Sequence, residues 1–335
     1  MLYENIKKKR CWGCGSLNII KWGTQKGKQR YKCKECGLLY TNTSPSSSQR
    51  NRKKWFADWV VGRQTLQQIS TVSGYSERTL KRFFAGYLEQ PPVFSVKPSE
   101  KVNLLIDGTY FSRDLCLVLY RDNTIKYTQL YRLSDGEWYE EMKEDLENLL
   151  LLGVQIESIT CDGHKALLKA VRKACKGVIL QRCIIHVQRM SRIWLTMNPK
   201  SEAGLALRII VNQLHKITNR EQWGYWIVSL MQWHERYKDF INERSFNPIT
   251  GRYWYKHKMV RQSFNLIKKA LPDLFHYLDN PRIPKSTNGL ESFFGHLKSH
   301  VTLHRGLSKN HRKSFIKWYL FYRNQGVFRA KSCKE

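Results

Sequence analysis

The chain has 335 residues, of which 41% are hydrophobic and 13% aromatic, which is typical of a folded protein with two or three domains and excludes a disordered one. It contains neither the run of about 18 apolar residues that a membrane span requires nor an apolar N-terminal signal core, so we expect a soluble, cytoplasmic protein. The formal net charge of +31 indicates a polyanionic partner, above all nucleic acid.

Four cysteines near the N-terminus have the spacing of a zinc site. They are Cys11, Cys14, Cys33 and Cys36. Two C-x2-C pairs, each followed by glycine and separated by 18 residues, place four thiolates around one tetrahedral Zn²⁺. We therefore predict a structural zinc ribbon over residues 1–42, with a β-hairpin between the pairs. A redox-active dithiol is the alternative, and the other five cysteines show no paired spacing.

A basic segment and two helices follow the cysteines. Residues 43–54 are polar and basic without periodicity, which predicts a linker. Residues 55–90 have a broken helical periodicity that predicts a helix-turn-helix, with Ser76 as a helix cap and Leu80 and Phe83 facing inward. The residues expected on the outer face of its second helix, where they would contact DNA, are Arg78, Lys81 and Arg82. A helical hairpin with a solvated basic face is the alternative.

Alternating strand and helix patterns begin at residue 102 and predict an α/β domain. The expected strands cover residues 102–107, 115–120, 125–131, 154–160 and 178–182, and the expected helices cover 137–152 and 164–175. Short links between the first three strands favour an antiparallel meander, whereas the later strand-helix-strand order favours parallel crossovers. The first and fourth strands can then lie side by side and parallel.

Those two strands both run into Asp-Gly, at Asp107-Gly108 and Asp162-Gly163. A carboxylate at the end of a buried strand requires a cation, hydrogen bonds or solvent. Asp-Gly is also a strong turn signal, so a turn explains Asp107 equally well when it is taken alone. The repeated motif favours a shared acidic site. Residues 99–181 carry a net charge of −2, between flanks of +14 and +19, as expected if acids hold cations while basic flanks hold a polyanion. Basic surface that only keeps the protein soluble is the alternative.

After residue 182 the sequence predicts long helices rich in aromatic and basic residues, including the segment 252–271. Residues 286–288 are expected to cap a further helix that carries Glu291 in its first turn. A capping-box role for Glu291, three residues after Asn288, is the alternative to a role in the acidic site. A closing amphipathic helix is expected at about residues 308–325.

Four segments in this order resemble DDE transposases of the Mutator type, the bacterial insertion-sequence branch related to Mutator-like elements. They are LLIDGTYF, ITCDGHKALLKAV, QRCIIHVQRM and STNGLESFFGHLK. The resemblance implies a ribonuclease-H-like mixed-sheet core over residues 100–190 and 285–330, interrupted by an α-helical insertion over 191–284. It also implies a metal-binding triad of Asp107, Asp162 and Glu291 that holds two Mg²⁺ ions, with Mn²⁺ as a substitute.

The same resemblance identifies Cys183 and His186 as a Cys-x2-His pair that recurs in this group. Two such groups would need further ligands to hold a metal, so packing or hydrogen bonding near the triad is the safer interpretation. The implied partners are double-stranded DNA, as transposon terminal inverted repeats and target, and at least one further copy of the chain. The resemblance also implies that the protein is cytoplasmic and associated with the bacterial nucleoid. Two rival functions remain, namely a DNA-binding regulator with an inactive core and a nuclease without strand transfer.

Overall fold

A computed structural model describes residues 10, 11, 13–25, 27–41, 45–98 and 100–326. The chain forms two compact units. Among the described residues, one contains those up to Pro91 together with Gly306–Phe315, and the other contains Pro92–Arg305 together with residues 316–326. None of the helices in the described ranges is both long enough and apolar enough to cross a membrane.

The first unit begins with a small antiparallel sheet followed by three helices. The strands are β1 (Ile19–Gln25), β2 (Lys28–Cys33) and β3 (Leu39–Thr41), and the helices are α1 (Pro45–Val61), α2 (Leu66–Ser73) and α3 (Glu77–Glu89). Strands β1 and β2 form the hairpin that was predicted between the cysteine pairs. Strand β3 pairs with β2 beside the second cysteine pair.

Helix α1 corrects the prediction of a linker over residues 43–54. From Pro45 onward these residues form the first part of a 17-residue helix, while residues 42–44 lie outside the described part of the chain. The second half of α1 buries Phe56 and Trp59, and Phe56 packs against Phe84 with ring centroids 5.4 Å apart. These contacts stabilise a helix that then extends toward the N-terminus through residues without an apolar pattern. Proline suits the first position of such a helix because its missing N–H would have no partner there.

Helices α2 and α3 follow the predicted helix-turn-helix pattern with one exception. The side chain of Ser76 accepts a hydrogen bond from the Thr79 amide and caps α3, as predicted. Leu80 is buried, as predicted, but Phe84 rather than Phe83 is the next core residue. Apolar residues four positions apart share one helical face, so α3 buries Leu80, Phe84 and Leu88.

The second unit contains a five-stranded mixed sheet. Its elements in chain order are β4 (Val102–Ser112), β5 (Leu115–Asp122), β6 (Tyr127–Ser134), α4 (Tyr139–Leu151), β7 (Ile156–Cys161), α5 (Lys165–Ala174) and β8 (Ile179–Arg182). The strand order is β6-β5-β4-β7-β8. Strands β4, β5 and β6 are antiparallel, whereas β4, β7 and β8 are parallel. The predicted parallel contact between the first and fourth strands of this domain is confirmed.

Helices α4 and α5 cover one face of this sheet. Ile106 and Cys161 point toward them and belong to the same apolar core as Leu146 and Leu167. Successive side chains of a strand point to opposite faces, so residues 107 and 162 are directed to the other face. Asp107 does not begin a turn, because β4 continues to Ser112 and Gly108 pairs with Val118.

The remaining elements are mostly helical. They are α6 (Ile184–Leu195), α7 (Glu202–Gln213), α8 (Arg220–Asn242), β9 (Arg244–Asn247), β10 (Arg252–Tyr255), α9 (Lys258–Ala270), α10 (Asn288–Leu303) and α11 (Lys309–Asn324), with short 3₁₀ helices at Leu214–Lys216, Leu271–Asp273 and His276–Leu278. Residues 252–255 form a strand, so the predicted helix over 252–271 begins too early. Tyr and Trp favour strands, and here they pair with β9 in a hairpin. The outer parts of the predicted first and last domains, residues 1–9 and 327–330, lie outside the described residues.

Candidate functional site

Asp107 lies in the middle of β4, and Asp162 directly follows the end of the neighbouring strand β7. Ile106 is the register partner of Cys161 across the parallel pair, so Asp107 and Asp162 are the next residues on both strands. Asp107 Oδ1 accepts a hydrogen bond of 2.9 Å from the Gly108 amide. Asp162 Oδ1 accepts one of 2.9 Å from the His164 amide, just before α5 begins. Neither carboxylate forms an ion pair with a lysine or arginine among the described residues.

The electrostatic environment of Asp107 is unfavourable for its negative charge. Burial is the largest cause, and the carboxylate of Asp162 is the next, so the pKa of Asp107 rises to about 7 although the Gly108 amide partly offsets the shift. Glu137 and Glu291 raise this pKa further. The arrangement thus concentrates negative charge around Asp107, where a divalent cation would relieve the repulsion.

Glu291 reaches this region from the first turn of α10. Helix α10 packs on β4, on the face opposite α4 and α5, and a methyl group placed on Gly289 would lie 3.8 Å from Leu105 Cδ1. The carboxylate of Glu291 accepts two hydrogen bonds from Arg189 on α6, of 3.0 and 2.9 Å. The cap of α10 is Thr287, without a side-chain hydrogen bond, so the capping-box alternative for Glu291 is wrong.

Cys183 connects the start of α6 to the start of α10. Its Sγ accepts hydrogen bonds from the amide and the hydroxyl of Thr287, at 3.4 and 3.5 Å. The Ile184 amide also donates to the Lys285 carbonyl at 3.0 Å. Cys183 is buried, whereas His186, one turn further along α6, is half-buried. The contacts of Cys183 are thus those of a residue that orients the helix carrying Glu291.

Replacing Cys183 by Ala is expected to lower the free energy of unfolding by about 1 kcal/mol, because the two Thr287 donors lose their acceptor. Amide hydrogen exchange at residues 287–291 should increase, since the first turn of α10 is no longer fixed to α6. Serine retains an acceptor, so Cys183→Ser should restore most of the protection. Exchange measured by mass spectrometry checks this, and equal protection in the alanine and serine variants would contradict it.

Two charged residues near the aspartates have no counterpart in the sequence prediction. Glu137, between β6 and α4, has a raised pKa because of burial and the nearby Asp162 carboxylate, although His164 partly offsets the shift. Arg182, at the end of β8, is only 6% exposed, and its buried Nε has no hydrogen-bond partner among the described residues. Glu137 lies outside the four motifs, and Arg182 lies within QRCIIHVQRM but was not singled out there, so only the fold shows that both are near the aspartates.

The four N-terminal cysteines form one cluster. Their sulfur atoms all lie within 4.8 Å of one another, and no other group of three or more potential ligands in the described ranges is as close. The Cys11 and Cys36 sulfurs are 3.5 Å apart, and those of Cys14 and Cys33 are 3.6 Å apart. Zinc–sulfur bonds of about 2.3 Å in a tetrahedron require sulfur separations of about this size. The cluster fits a structural zinc ribbon.

The basic residues predicted for α3 share its exposed surface. Arg78, Lys81 and Arg82 are all exposed, whereas Leu80 and Phe84 face the core. No carboxylate of the described residues forms an ion pair with these three side chains. The surface is therefore available to a phosphate backbone.

Replacing Arg78, Lys81 and Arg82 together by Ala is expected to weaken binding to duplex DNA about tenfold or more at low salt. Each lost phosphate contact should also reduce the slope of log K against log [salt] by about 1. A fluorescence-anisotropy titration at several salt concentrations measures both quantities. Lys173→Ala removes an exposed charge from α5 and serves as the control. An unchanged salt slope in the triple variant would contradict DNA contact by α3.

Comparison with known proteins yields one family match. The family model described as Transposase, Mutator family, matches residues 131–305, which is about half of the chain. The matched range contains Asp162, Cys183, His186 and Glu291 and begins after Asp107. No curated protein matches the chain.

Proposed function

The chain belongs to the Mutator family of transposases, and from this premise we propose that it cleaves and joins DNA strands with Asp107, Asp162 and Glu291 as its catalytic acids. The observation that carries the proposal is the adjacent position of Asp107 and Asp162 on parallel strands, on the sheet face where α10 packs. A triad assembled from two neighbouring parallel segments and one helix suits metal-dependent phosphoryl transfer.

The proposed domain organisation follows the family resemblance. Residues 100–190 and 285–330 would form a ribonuclease-H-like core, with residues 191–284 as a largely helical insertion. The mixed sheet and the position of the acids support this assignment. Residues 55–90 would form a helix-turn-helix that binds the transposon ends, with a zinc ribbon over 1–42.

The acidic residues would supply oxygen ligands to the two Mg²⁺ ions that the family implies, and Mn²⁺ would be an alternative. Oxygen ligands are the ones that Mg²⁺ prefers, and burial together with mutual repulsion favours cation binding at Asp107 and Asp162. When bound, the ions would activate water or a 3′-hydroxyl and stabilise the departing oxygen of a phosphodiester. Asp107 on β4 and Asp162 just after β7 would hold them, so no Ser, Tyr or Cys nucleophile is assigned.

Glu291 would join this site by leaving its ion pair with Arg189 and binding a divalent cation instead. Its ion pair with Arg189 is partly exposed, with 34% of the Glu291 side chain and 52% of the Arg189 side chain accessible. Such exposed pairs contribute about 0–1 kcal/mol, so a divalent cation can compete with Arg189 for the carboxylate. The released Arg189 would then be free to contact a DNA phosphate.

The proposed partners are the terminal inverted repeats of the element and its target DNA, with at least two copies of the chain on the paired ends. The protein would act in the bacterial cytoplasm on the nucleoid. The net charge of +31 supports binding to long polyanions.

Incubating the purified protein with duplex DNA that carries the terminal repeats, with Mg²⁺ and a target plasmid, tests the proposal. We expect nicks at the repeat ends and joined products in the target. Binding without nicking would favour the regulator, and nicking without joining would favour the nuclease. EDTA should abolish both products, because the acids alone supply no Lewis acid.

A further inference from the structure

Arg182, at the end of β8, is a buried cation without a partner in the described part of the chain. The residue is only 6% exposed, and its guanidinium donates no hydrogen bond and forms no ion pair there. Asp273 lies in the 3₁₀ helix that packs against β8, but its carboxylate is paired with Arg172 at 2.8 Å. A buried charge of this kind lowers stability unless an anion reaches it.

The Arg182 side chain lies against the backbone that connects β7 to α5. Arg182 is the register partner of Cys161, and a methyl group placed on Gly163 would lie 2.1 Å from Arg182 Nη2. Gly163 does not have a positive φ, so its conformation is open to other residues. The missing side chain is what this position requires, because it admits the guanidinium to the start of α5.

The start of α5 offers further donors to an anion. His164 precedes the helix without capping it, and the first turn contains no acidic residue. The amides of Lys165, Ala166 and Leu167 therefore lack a side-chain acceptor, and free amides at a helix N-terminus attract anions. His164 Nδ1 is also buried without a hydrogen-bond partner among the described residues. Gly163 and His164 are half-buried and Lys165 is exposed, so solvent reaches this helix start.

We propose that Arg182 and the first turn of α5 bind a phosphate of the DNA backbone, one that flanks the scissile phosphate. The inference rests on the proposed function, because Asp162 directly precedes Gly163 and would hold a cation at the cleaved bond. A DNA strand bound at Asp162 runs past the start of α5, so its backbone supplies the phosphate. Guanidinium and phosphate form paired hydrogen bonds, which are stronger where water is excluded.

Arg182→Met tests whether the buried charge is unpaired in the free protein. Methionine keeps most of the length of the side chain and removes the charge. We expect the full-length, zinc-loaded variant to unfold about 2–4 °C above the wild type without DNA, because an uncompensated buried cation is removed. Lys173→Met removes an exposed charge from the last turn of α5 and should leave the unfolding temperature nearly unchanged. A lower unfolding temperature for Arg182→Met would show that the fold itself uses the guanidinium and would overturn the inference.

Methylphosphonate substitution in the DNA identifies the phosphate that Arg182 contacts. Each phosphate around the cleavage position of the terminal repeat is replaced in turn by a neutral methylphosphonate. Fluorescence anisotropy with Ca²⁺ in place of Mg²⁺ then gives the affinity without requiring cleavage. In the wild type and in Lys173→Met, we expect one flanking substitution to weaken binding about tenfold. Arg182→Met should bind unmodified DNA about tenfold more weakly and lose nothing further at that position.

Gly163→Ala provides a second variant, which keeps the charge of Arg182 in the protein. The added methyl group would displace the guanidinium through its contact with Nη2. We expect Gly163→Ala to weaken DNA binding and to become insensitive to the same methylphosphonate. This variant also tests the inference if Arg182→Met does not fold.

The outcomes separate this inference from the proposed function. If Arg182→Met and Gly163→Ala bind as tightly as the wild type, or respond to every methylphosphonate as the wild type does, Arg182 contacts no DNA phosphate. The inference is then wrong even if the wild type cleaves DNA. If both variants lose the effect of one methylphosphonate but the wild type cleaves no DNA with Mg²⁺, the phosphate site is supported and the catalytic proposal is wrong.

Discussion

Replacing Asp107 by Asn is expected to lower Mg²⁺-dependent cleavage of DNA at the terminal repeats about a thousandfold, with binding to the same DNA largely unchanged. The amide is nearly isosteric but is a poor ligand for a hard cation. A loss of this size corresponds to about 4 kcal/mol of transition-state stabilisation, within the range that a metal ion supplies. The same loss is expected for Asp162→Asn and Glu291→Gln. Gel-based cleavage assays under single-turnover conditions measure it.

The stability of Asp107→Asn separates a lost ligand from a damaged fold. Burial and Asp162 raise the pKa of Asp107 to about 7, above its ordinary value. For an acid with a raised pKa, ionisation destabilises the folded state progressively as pH rises above that ordinary value. At pH 8 the asparagine variant should therefore unfold at a temperature equal to or above that of the wild type. Retained cleavage in any of the three purified variants would remove that residue from the proposed triad.

Binding to the terminal repeats provides the matched measurement for these variants. The triad residues lie in the second unit, and the basic surface of α3 lies in the first. Asp107→Asn should therefore retain its affinity but not cleave, whereas the triple alanine variant of α3 should lose affinity. If the protein is a regulator with an inactive core, the triple alanine variant of α3 would still lose DNA affinity, but the wild type would show no cleavage.

The sequence predicted the acid pair correctly because short-range signals determine it. Apolar strands, short links and a crossover helix order β4 beside β7, and this order alone brings Asp107 next to Asp162. The family resemblance drawn from four motifs is confirmed by the family match. The catalytic roles of the acids, the ribonuclease-H-like core and the helix-turn-helix remain predictions.

Glu137 and Arg182 could not be predicted, since their positions depend on tertiary contacts. Glu137 precedes α4 and Arg182 ends β8, and only the assembled fold places each of these charged residues over a glycine. The glycines themselves were noticed as a turn signal. In β4 the extended strand continues through Gly108, so the turn that Asp-Gly predicts by local propensity does not form there.

The linker and the hairpin show a similar limit of local patterns. Residues 45–54 lack an apolar stripe, yet they are helical because the second half of α1 is anchored by Phe56 and Trp59. Residues 252–255 were assigned to a helix because the segment after them has a strong helical period. Their pairing with β9 decides their conformation, and pairing is not visible in a single segment.

Removing zinc is expected to unfold the ribbon around β1, β2 and β3. A sheet of three short strands buries too little apolar surface to fold alone, and structural zinc contributes about 10–16 kcal/mol to such domains. Cys33→Ser should therefore lose the bound zinc, about one ion per chain in the wild type, and expose residues 10–41 to proteolysis. Cys175→Ala is the control, because Cys175 is buried outside the cluster and should leave zinc content unchanged. A colorimetric zinc assay with limited proteolysis measures both effects, and a zinc-free but protease-resistant ribbon would contradict the structural role of the metal.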